Sequence, residues 1–359
     1  KLGIGQQQMV EVAKALSLNS KLIIMDEPTA TLTEREIDQL FEFIKNLRLK
    51  EVSTLYISHR LEEFERIADR ITVMRDGRTV KTLPLSEAKI PELIKLMVGR
   101  ELVNQFPRID HKIGDVRLRA EGLTRNGVFH DVSFHVNSGE ILGVSGLVGS
   151  GRTEIMRALF GVDRLDAGAV YIDGRQVHIH SPQDAIREGL GFVTEDRKKY
   201  GLVLSLSVGQ NITLSNLSFV SKSGIIKLSS ERGISDQYIS KMNIKTPSAN
   251  QLVKNLSGGN QQKVVLAKWL LSQSKVFIFD EPTRGIDVGA KVEVYNLMNE
   301  LITAGAAIIM VSSELPEILG ISDRIIVMCR GEKLADLDQR NTSQEEILYY
   351  AAGGGKYLA

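Results

Sequence analysis

Cysteine is almost absent from this chain: Cys329 is the only one in 359 residues, which excludes an internal disulfide framework and fits a reducing compartment. Charge imbalance is missing too. Lys and Arg number 45 and Asp and Glu 44, so a net charge of +1 gives no general pull toward nucleic acid or anionic lipid. The short basic run Arg197, Lys198, Lys199 reads as a solvated loop. Long apolar runs are lacking as well. The longest, residues 306–311, falls far short of the roughly 20 residues that cross a bilayer, so membrane contact is expected to go through a partner. What is present, 43% hydrophobic and 25% charged residues, is the make-up of a globular protein with length for two domains or slightly more.

The sequence repeats itself. Met25-Asp26-Glu27-Pro28-Thr29 returns as Phe279-Asp280-Glu281-Pro282-Thr283, an offset of 254 residues counted from Asp26 to Asp280. The same offset carries Gly5-Gln6-Gln7-Gln8 to Gly259-Asn260-Gln261-Gln262, Asp69-Arg70 to Asp323-Arg324, Gly77 to Gly331 and Gly99 to Gly353, without a gap. Residues 1–99 therefore read as a second copy of residues 255–353. In that register a counterpart of the glycine-rich segment at Gly146 would lie more than a hundred residues ahead of Lys1, so a chain truncated at its start is expected.

Each copy alternates short apolar strands with amphipathic helices. Residues 22–25 and 276–279 are continuous apolar runs followed at once by charge, the pattern of buried parallel strands that end at a site. Ile37, Leu40, Phe41, Ile44 and Leu47 make one apolar helical face, and Val294, Leu297, Met298 and Leu301 make another before Gly305 ends the helix. Strands at 54–57 and 306–311 follow, giving an α/β fold with a largely parallel sheet. Residues 101–114, with Pro107 and little apolar periodicity, read as a linker between a first domain at 1–100 and a second at 115–359.

Three segments carry chemistry. Gly146-Leu147-Val148-Gly149-Ser150-Gly151-Arg152-Thr153 lies between an apolar strand at 141–144 and a helical run at 153–160, the setting that a phosphate-binding loop needs. Its glycines let N–H groups close around phosphate oxygens, the helix adds its positive end, and the Thr153 hydroxyl would ligate Mg2+. Arg152 stands where lysine is usual. Leu256-Ser257-Gly258-Gly259-Asn260-Gln261-Gln262 opens a second helix, with Ser257 placed to cap it and two glycines that let a phosphate approach the backbone. Asp280 and Glu281 close the strand at 276–279. In a phosphate site the first carboxylate holds Mg2+ through water and the second orients or activates the attacking water. Singly, each segment is compatible with a turn or a capped surface helix.

In this order and spacing they resemble the ABC ATPase superfamily, with its phosphate loop, LSGGQ-type signature, DEPT motif and switch histidine, over nearly the whole chain. More narrowly, the chain resembles the tandem ATPase subunit of bacterial monosaccharide importers (ribose, xylose, arabinose and galactose type). The residues behind this are GLVGSGRTE from Gly146, EDRK from Glu195, LSGGNQQK from Leu256, DEPTRGIDVGA from Asp280 and VSSELPE from Val311. The resemblance implies a P-loop NTPase fold with a mixed, mainly parallel core sheet, an antiparallel β subdomain and a helical subdomain. It also implies ATP and Mg2+ as cofactors, and ATP hydrolysis coupled to import of a monosaccharide, ribose-type first. Transmembrane permease subunits would be the direct partners and an extracytoplasmic sugar-binding protein an indirect one, with the chain peripheral on the cytoplasmic face of the bacterial inner membrane. A DNA-repair ATPase of the superfamily would carry a long coiled coil between phosphate loop and signature, and a ribosome-acting tandem protein a long charged linker and a histidine in both copies. Neither feature is here. Against a purely regulatory nucleotide-binding module stand Glu27 and His59.

The same resemblance implies a head-to-tail ATP sandwich, each nucleotide lying between the phosphate loop of one domain and the signature of the other. One site would take Asp26 beside the metal, Glu27 as catalytic carboxylate, His59 on the γ-phosphate, and Ser257, Gly258, Gly259 and Gln261 from the signature. The other would take Gly146, Gly149, Ser150, Gly151, Arg152, Thr153, Glu195, Asp280 and Glu281, with the first-copy signature around Gly5. Departures gather in this second site: Arg152 for lysine, Glu195 for the usual glutamine, Ser313 at the position that maps His59, and Gly3 and Ile4 where the other signature has Ser257 and Gly258. It is expected to bind ATP and hydrolyse it slowly, leaving turnover to Glu27 and His59. For stacking on adenine, Phe129 is the one candidate beside residues 123–128.

Overall fold

A computed structural model describes residues 10, 11, 13, 14, 20–29, 32, 34–58, 61–75, 77–98 and 106–356. Two compact units emerge, the second holding the described residues from 106 onward except 287–289.

In the first, strand β1 (Leu22–Asp26) and strand β2 (Ser53–Ile57) pair in parallel, Leu22 opposite Ser53 and Asp26 opposite Ile57. Helix α1 (Glu34–Leu49) joins them. Its predicted apolar face of Ile37, Leu40, Phe41, Ile44 and Leu47 is buried with Ile23 and Met25. The run at 22–25 is thus buried on one face rather than both. Leu22, Ile24, Leu55 and Ile57 are exposed, because among the described residues α1 covers only one side of this two-stranded sheet. Helix α2 (Leu61–Ile67), the antiparallel pair β3 (Arg70–Arg75) and β4 (Arg78–Pro84), and helix α3 (Ile90–Val98) enclose a small core of Leu61, Ile71, Val73, Leu83 and Leu93.

The second unit opens with β5 (Val116–Arg125) and β6 (Phe129–Asn137), which pair antiparallel. Then come β7 (Ile141–Gly146), α4 (Arg152–Leu159), β8 (Ala167–Ile172) and β9 (Arg175–Val177). Strands β6, β5, β8 and β9 form a four-stranded antiparallel sheet. A helical segment follows, with α5 (Pro182–Arg187), β10 (Leu190–Val193), α6 (Val208–Thr213), the short hairpin β11 (Ser221–Lys222) and β12 (Ile225–Ile226), α7 (Leu228–Lys241) and α8 (Gly258–Leu271). The chain closes through β13 (Val276–Asp280), α9 (Val288–Thr303), β14 (Ala307–Val311), α10 (Leu315–Ile321), β15 (Arg324–Cys329), β16 (Glu332–Asp338) and α11 (Gln344–Ala351).

The central sheet runs β10-β13-β14-β7-β15-β16, parallel throughout except for β16. β13 and β14 are buried at every residue, as continuous apolar runs in a covered parallel sheet should be. Residues 106–114 lie along this unit instead of hanging free. Phe106 packs on Tyr295, Arg108 bonds Asp323, and Asn299 donates to the Pro107 carbonyl.

The two units share local structure at the sequence offset. β1 and β13, α1 and α9, β2 and β14, α2 and α10, β3 and β15, and β4 and β16 begin and end at corresponding residues. Irregularities correspond as well: the hairpin register shifts at Val73/Met74 and again at Val327/Met328.

Candidate functional site

Because β13, β14 and β7 are neighbours in a parallel sheet, the segments leaving their carboxyl ends meet. In open α/β sheets that crevice is where ligands bind. Here it gathers Asp280 and Glu281 after β13, Ser312 and Ser313 after β14, and the glycine-rich loop after β7.

The loop's path depends on glycine at two points. Gly146 has φ +151 and a Cβ there would lie 2.4 Å from the Met328 carbonyl oxygen, while Gly151 has φ +98 at the entry to α4. No side chain caps α4, so its first N–H groups remain available to an anion. A Cβ on Gly149 would meet nothing within 4 Å, which leaves open space above the loop, and Val148 at its tip is 94% exposed. Behind it, the Ser150 carbonyl accepts from Gly331 N–H at 2.9 Å, anchoring the loop to the β15–β16 turn. The buried Ser150 hydroxyl has no partner of its own.

Around the loop stand the charged groups. Thr153 Oγ1 donates to Asp280 Oδ1 at 3.2 Å. Arg152 is buried and donates to the Ser312 carbonyl at 2.9 Å, with its other nitrogen 4.0 Å from Glu281. It spans the crevice from the loop to the segments after β13 and β14. Ser313 Oγ donates to Glu281 Oε2 at 3.1 Å. A hydroxyl and a buried carboxylate are hard oxygen donors suited to Mg2+. Among the described residues no group of three or more His, Cys, Asp or Glu could hold a metal unaided.

Burial is the main influence on both carboxyls, pushing Asp280 up to about 6 and Glu281 up to about 7. Thr153 and Arg152 pull Asp280 the other way, as Arg152 and Ser313 do Glu281. An acid whose pKa is higher folded than unfolded binds more protons in the folded state. Its share of stability is full below the ordinary values of 3.8 and 4.5 and is lost as pH rises through 6 and 7. Stability of the second unit should therefore drop by about 5 kcal/mol between pH 4.5 and pH 8 in metal-free solution. Calorimetry of wild type against the Asp280→Asn, Glu281→Gln double variant checks this. The wild-type slope should flatten in the variant, and an unchanged slope would assign it elsewhere.

The other predicted residues divide. Glu195 is ion-paired with Arg284. Ser257 occupies the N-cap position of α8 but caps nothing, because its hydroxyl accepts from Asn260 Nδ2 at 2.9 Å. Gly258 and Gly259 form the first turn of α8, and Gln261 is turned inward, donating to the Val253 carbonyl. In the first unit Asp26 ends β1, and Glu27 has the backbone of Glu281: φ is 49 and 47, and each N–H donates at 2.9 Å to the strand alongside, at Ile57 and Val311. His59, Gly3, Ile4 and Gly5 lie outside the described residues. Phe129 is packed into the core, 3% exposed, which leaves its ring no open face for a base to stack on.

Arg197 corrects the reading of its basic run as a solvated loop. It is half-buried, donates to the carbonyls of Arg284 and Gly285, and its guanidinium lies where a Cβ on Gly258 would come within 2.7 Å. A side chain at position 258 would therefore displace the Arg197 guanidinium. Composition could not reveal this, since the partners are backbone carbonyls 87 and 88 residues away. Glu317 was also missed, though the offset that pairs it with Glu63 could have found it.

A phosphate loop, a threonine–aspartate pair and a strand-end glutamate at the carboxyl edge of a mainly parallel sheet, with an antiparallel sheet and a helical segment attached, define an ABC-type ATPase. The family model for ABC transporters matches residues 129–284. A ribose import ATP-binding protein of Bacillus subtilis (strain 168) is 55% identical over 351 residues, which are 98% of this chain and 71% of that protein. A putative ribose/galactose/methyl galactoside import ATP-binding protein of Agrobacterium fabrum is 50% identical over 357 residues, 99% of this chain and 71% of that one. The fold is shared with a dimeric ATP-binding cassette solved in a post-hydrolysis state with ADP and phosphate (TM-score 0.54, 21% identity, 63% of this chain and 100% of that chain). The chain belongs to the ABC transporter family, among the import ATP-binding proteins.

Proposed function

We propose that this chain is the ATP-binding and ATP-hydrolysing subunit of a monosaccharide importer, with a ribose-type sugar as cargo, working beneath transmembrane permease subunits that receive sugar from an extracytoplasmic binding protein. The observation that carries this reading is the convergence of loop, Thr153–Asp280 pair and Glu281 in a chain 55% identical to a ribose import ATP-binding protein. Among the described residues no helix is long and apolar enough to cross a membrane, which suits a peripheral subunit. Residues 1–100 and 115–359 are read as parts of two ATPase domains in tandem, a reading supported by element bounds that correspond at one constant offset.

Within the second domain, loop N–H groups from Gly149 to Thr153 would hold the phosphates and Thr153 with Asp280 would hold Mg2+. The ion, when bound, neutralises phosphate charge. Arg152 adds positive charge from beneath, while Ser313 engages Glu281 directly. Glu27, with His59, is read as the catalytic pair of the first copy, and Asp26 as its metal-side carboxylate.

Deleting the gene should abolish high-affinity ribose uptake in cells, and the intact gene supplied in trans should restore it. Loss of a different monosaccharide would reassign the cargo, and undiminished uptake of every monosaccharide would overturn the importer reading. In fractionated cells the subunit should leave the membrane pellet when the permease is absent.

A further inference from the structure

A buried glutamate stands behind the crevice of the second unit, and its counterpart at the repeat offset is buried in the first. Glu317 on α10 is fully buried and accepts from three hydroxyls: Thr283 at 2.7 Å, Tyr295 at 2.7 Å, and Ser312. Thr283 lies in the turn that the Arg284 N–H closes on the Glu281 carbonyl. Ser312 precedes Ser313, and its carbonyl holds Arg152. One carboxyl thus ties together the two segments that present Glu281, Ser313 and Arg152 to the phosphate loop. In the first unit Glu63 accepts from Thr29 at 2.6 Å and from Tyr56 at 2.8 Å.

The tyrosines do not correspond in sequence. Tyr56 lies on β2, where the second copy has Met310; Tyr295 lies on α9, where the first copy has Phe41. The same phenol-to-carboxyl bond is supplied from the strand in one copy and from the helix in the other. Packing by itself does not ask for this. A buried carboxyl with its donors is often no more stabilising than an apolar cluster of the same volume, whereas loss of one donor leaves an unsatisfied acceptor.

We propose that Glu317, with Thr283, Ser312 and Tyr295, is a positioning hub that holds Glu281 and Ser313 in register with the phosphate loop, and that Glu63 with Thr29 and Tyr56 does the same behind Glu27. The inference rests on the reading that the loop binds nucleotide. Its test is fluorescence titration of the whole chain with N-methylanthraniloyl-ADP and Mg2+, alongside thermal unfolding of each variant. Tyr295→Phe should weaken binding about tenfold. Adding Met310→Tyr, which transplants the first copy's arrangement, should return affinity to within about twofold of wild type, as expected if the bond rather than the residue matters. Ile309→Val, a buried change on the same strand, should lower the Tm comparably and leave affinity unchanged.

Wild-type affinity in Tyr295→Phe, an equal loss in Ile309→Val, or a folded double variant that does not regain affinity would each overturn the hub. If the double variant does not fold, Glu317→Gln decides: it keeps the volume but only one acceptor oxygen, and unchanged binding would overturn the proposal. A wild-type chain that binds no nucleotide, folded and at high concentration, would instead overturn the nucleotide reading and the hub with it.

Discussion

In the full-length subunit, Glu27→Gln should abolish steady-state ATP hydrolysis, by about 1000-fold, while Glu281→Gln leaves most of it intact. The two glutamates have nearly identical backbones, with φ of 49 and 47 and the same hydrogen bond from their N–H to the neighbouring strand. They differ in the sequence beside them, Ser313 standing where the first copy has His59. Glu281 receives the Ser313 hydroxyl at 3.1 Å and faces Arg152 at 4.0 Å, so part of its acceptor capacity is already taken. A serine is also a poor substitute for the imidazole at His59, which can hold a water and a phosphate oxygen together. A carboxylate that must take a proton from water needs a free lone pair and an oriented water. Equal losses in the two variants, measured by phosphate release at saturating ATP, would remove the asymmetry between the copies.

The second large effect is expected at Gly146. Alanine there would be strained by φ of +151 and would place its Cβ 2.4 Å from the Met328 carbonyl and 2.6 Å from Ser150 Oγ. Met328 belongs to β15, paired along its length with β7, so the backbone oxygen has nowhere to go. The cost should be about 3 kcal/mol, or a Tm lower by about 6–12 °C, and nucleotide binding should disappear. Gly149→Ala is the informative contrast. Its φ of +79 costs about 1 kcal/mol, but no atom lies within 4 Å of the new methyl, which projects into the open space above the loop. The fold should survive with a small loss of Tm and a large loss of affinity for Mg2+-ADP. A Gly146→Ala protein as stable as wild type would mean that the loop takes another path.

Read from sequence, the strands, the repeat and the motif segments were accessible because each is local. A four-residue apolar run followed by Asp-Glu marks a strand ending at a site, buried throughout at 276–279 but on one face only at 22–25, and periodicity picked out the buried face of α1 residue by residue. The offset aligned the two copies without coordinates. Only tertiary structure decided which groups meet across the fold. Arg197 belongs to a basic run in sequence and is drawn inward by two distant carbonyls, Ser257 serves Asn260 instead of the helix it precedes, and Phe129 goes to the core. Tyr56 and Tyr295 look unrelated until both phenols are found on equivalent buried glutamates. For the buried polar groups the physical reason is the same. Backbone periodicity is set by neighbours in sequence, whereas a polar side chain removed from water takes whichever donor or acceptor the packed fold brings within about 3 Å.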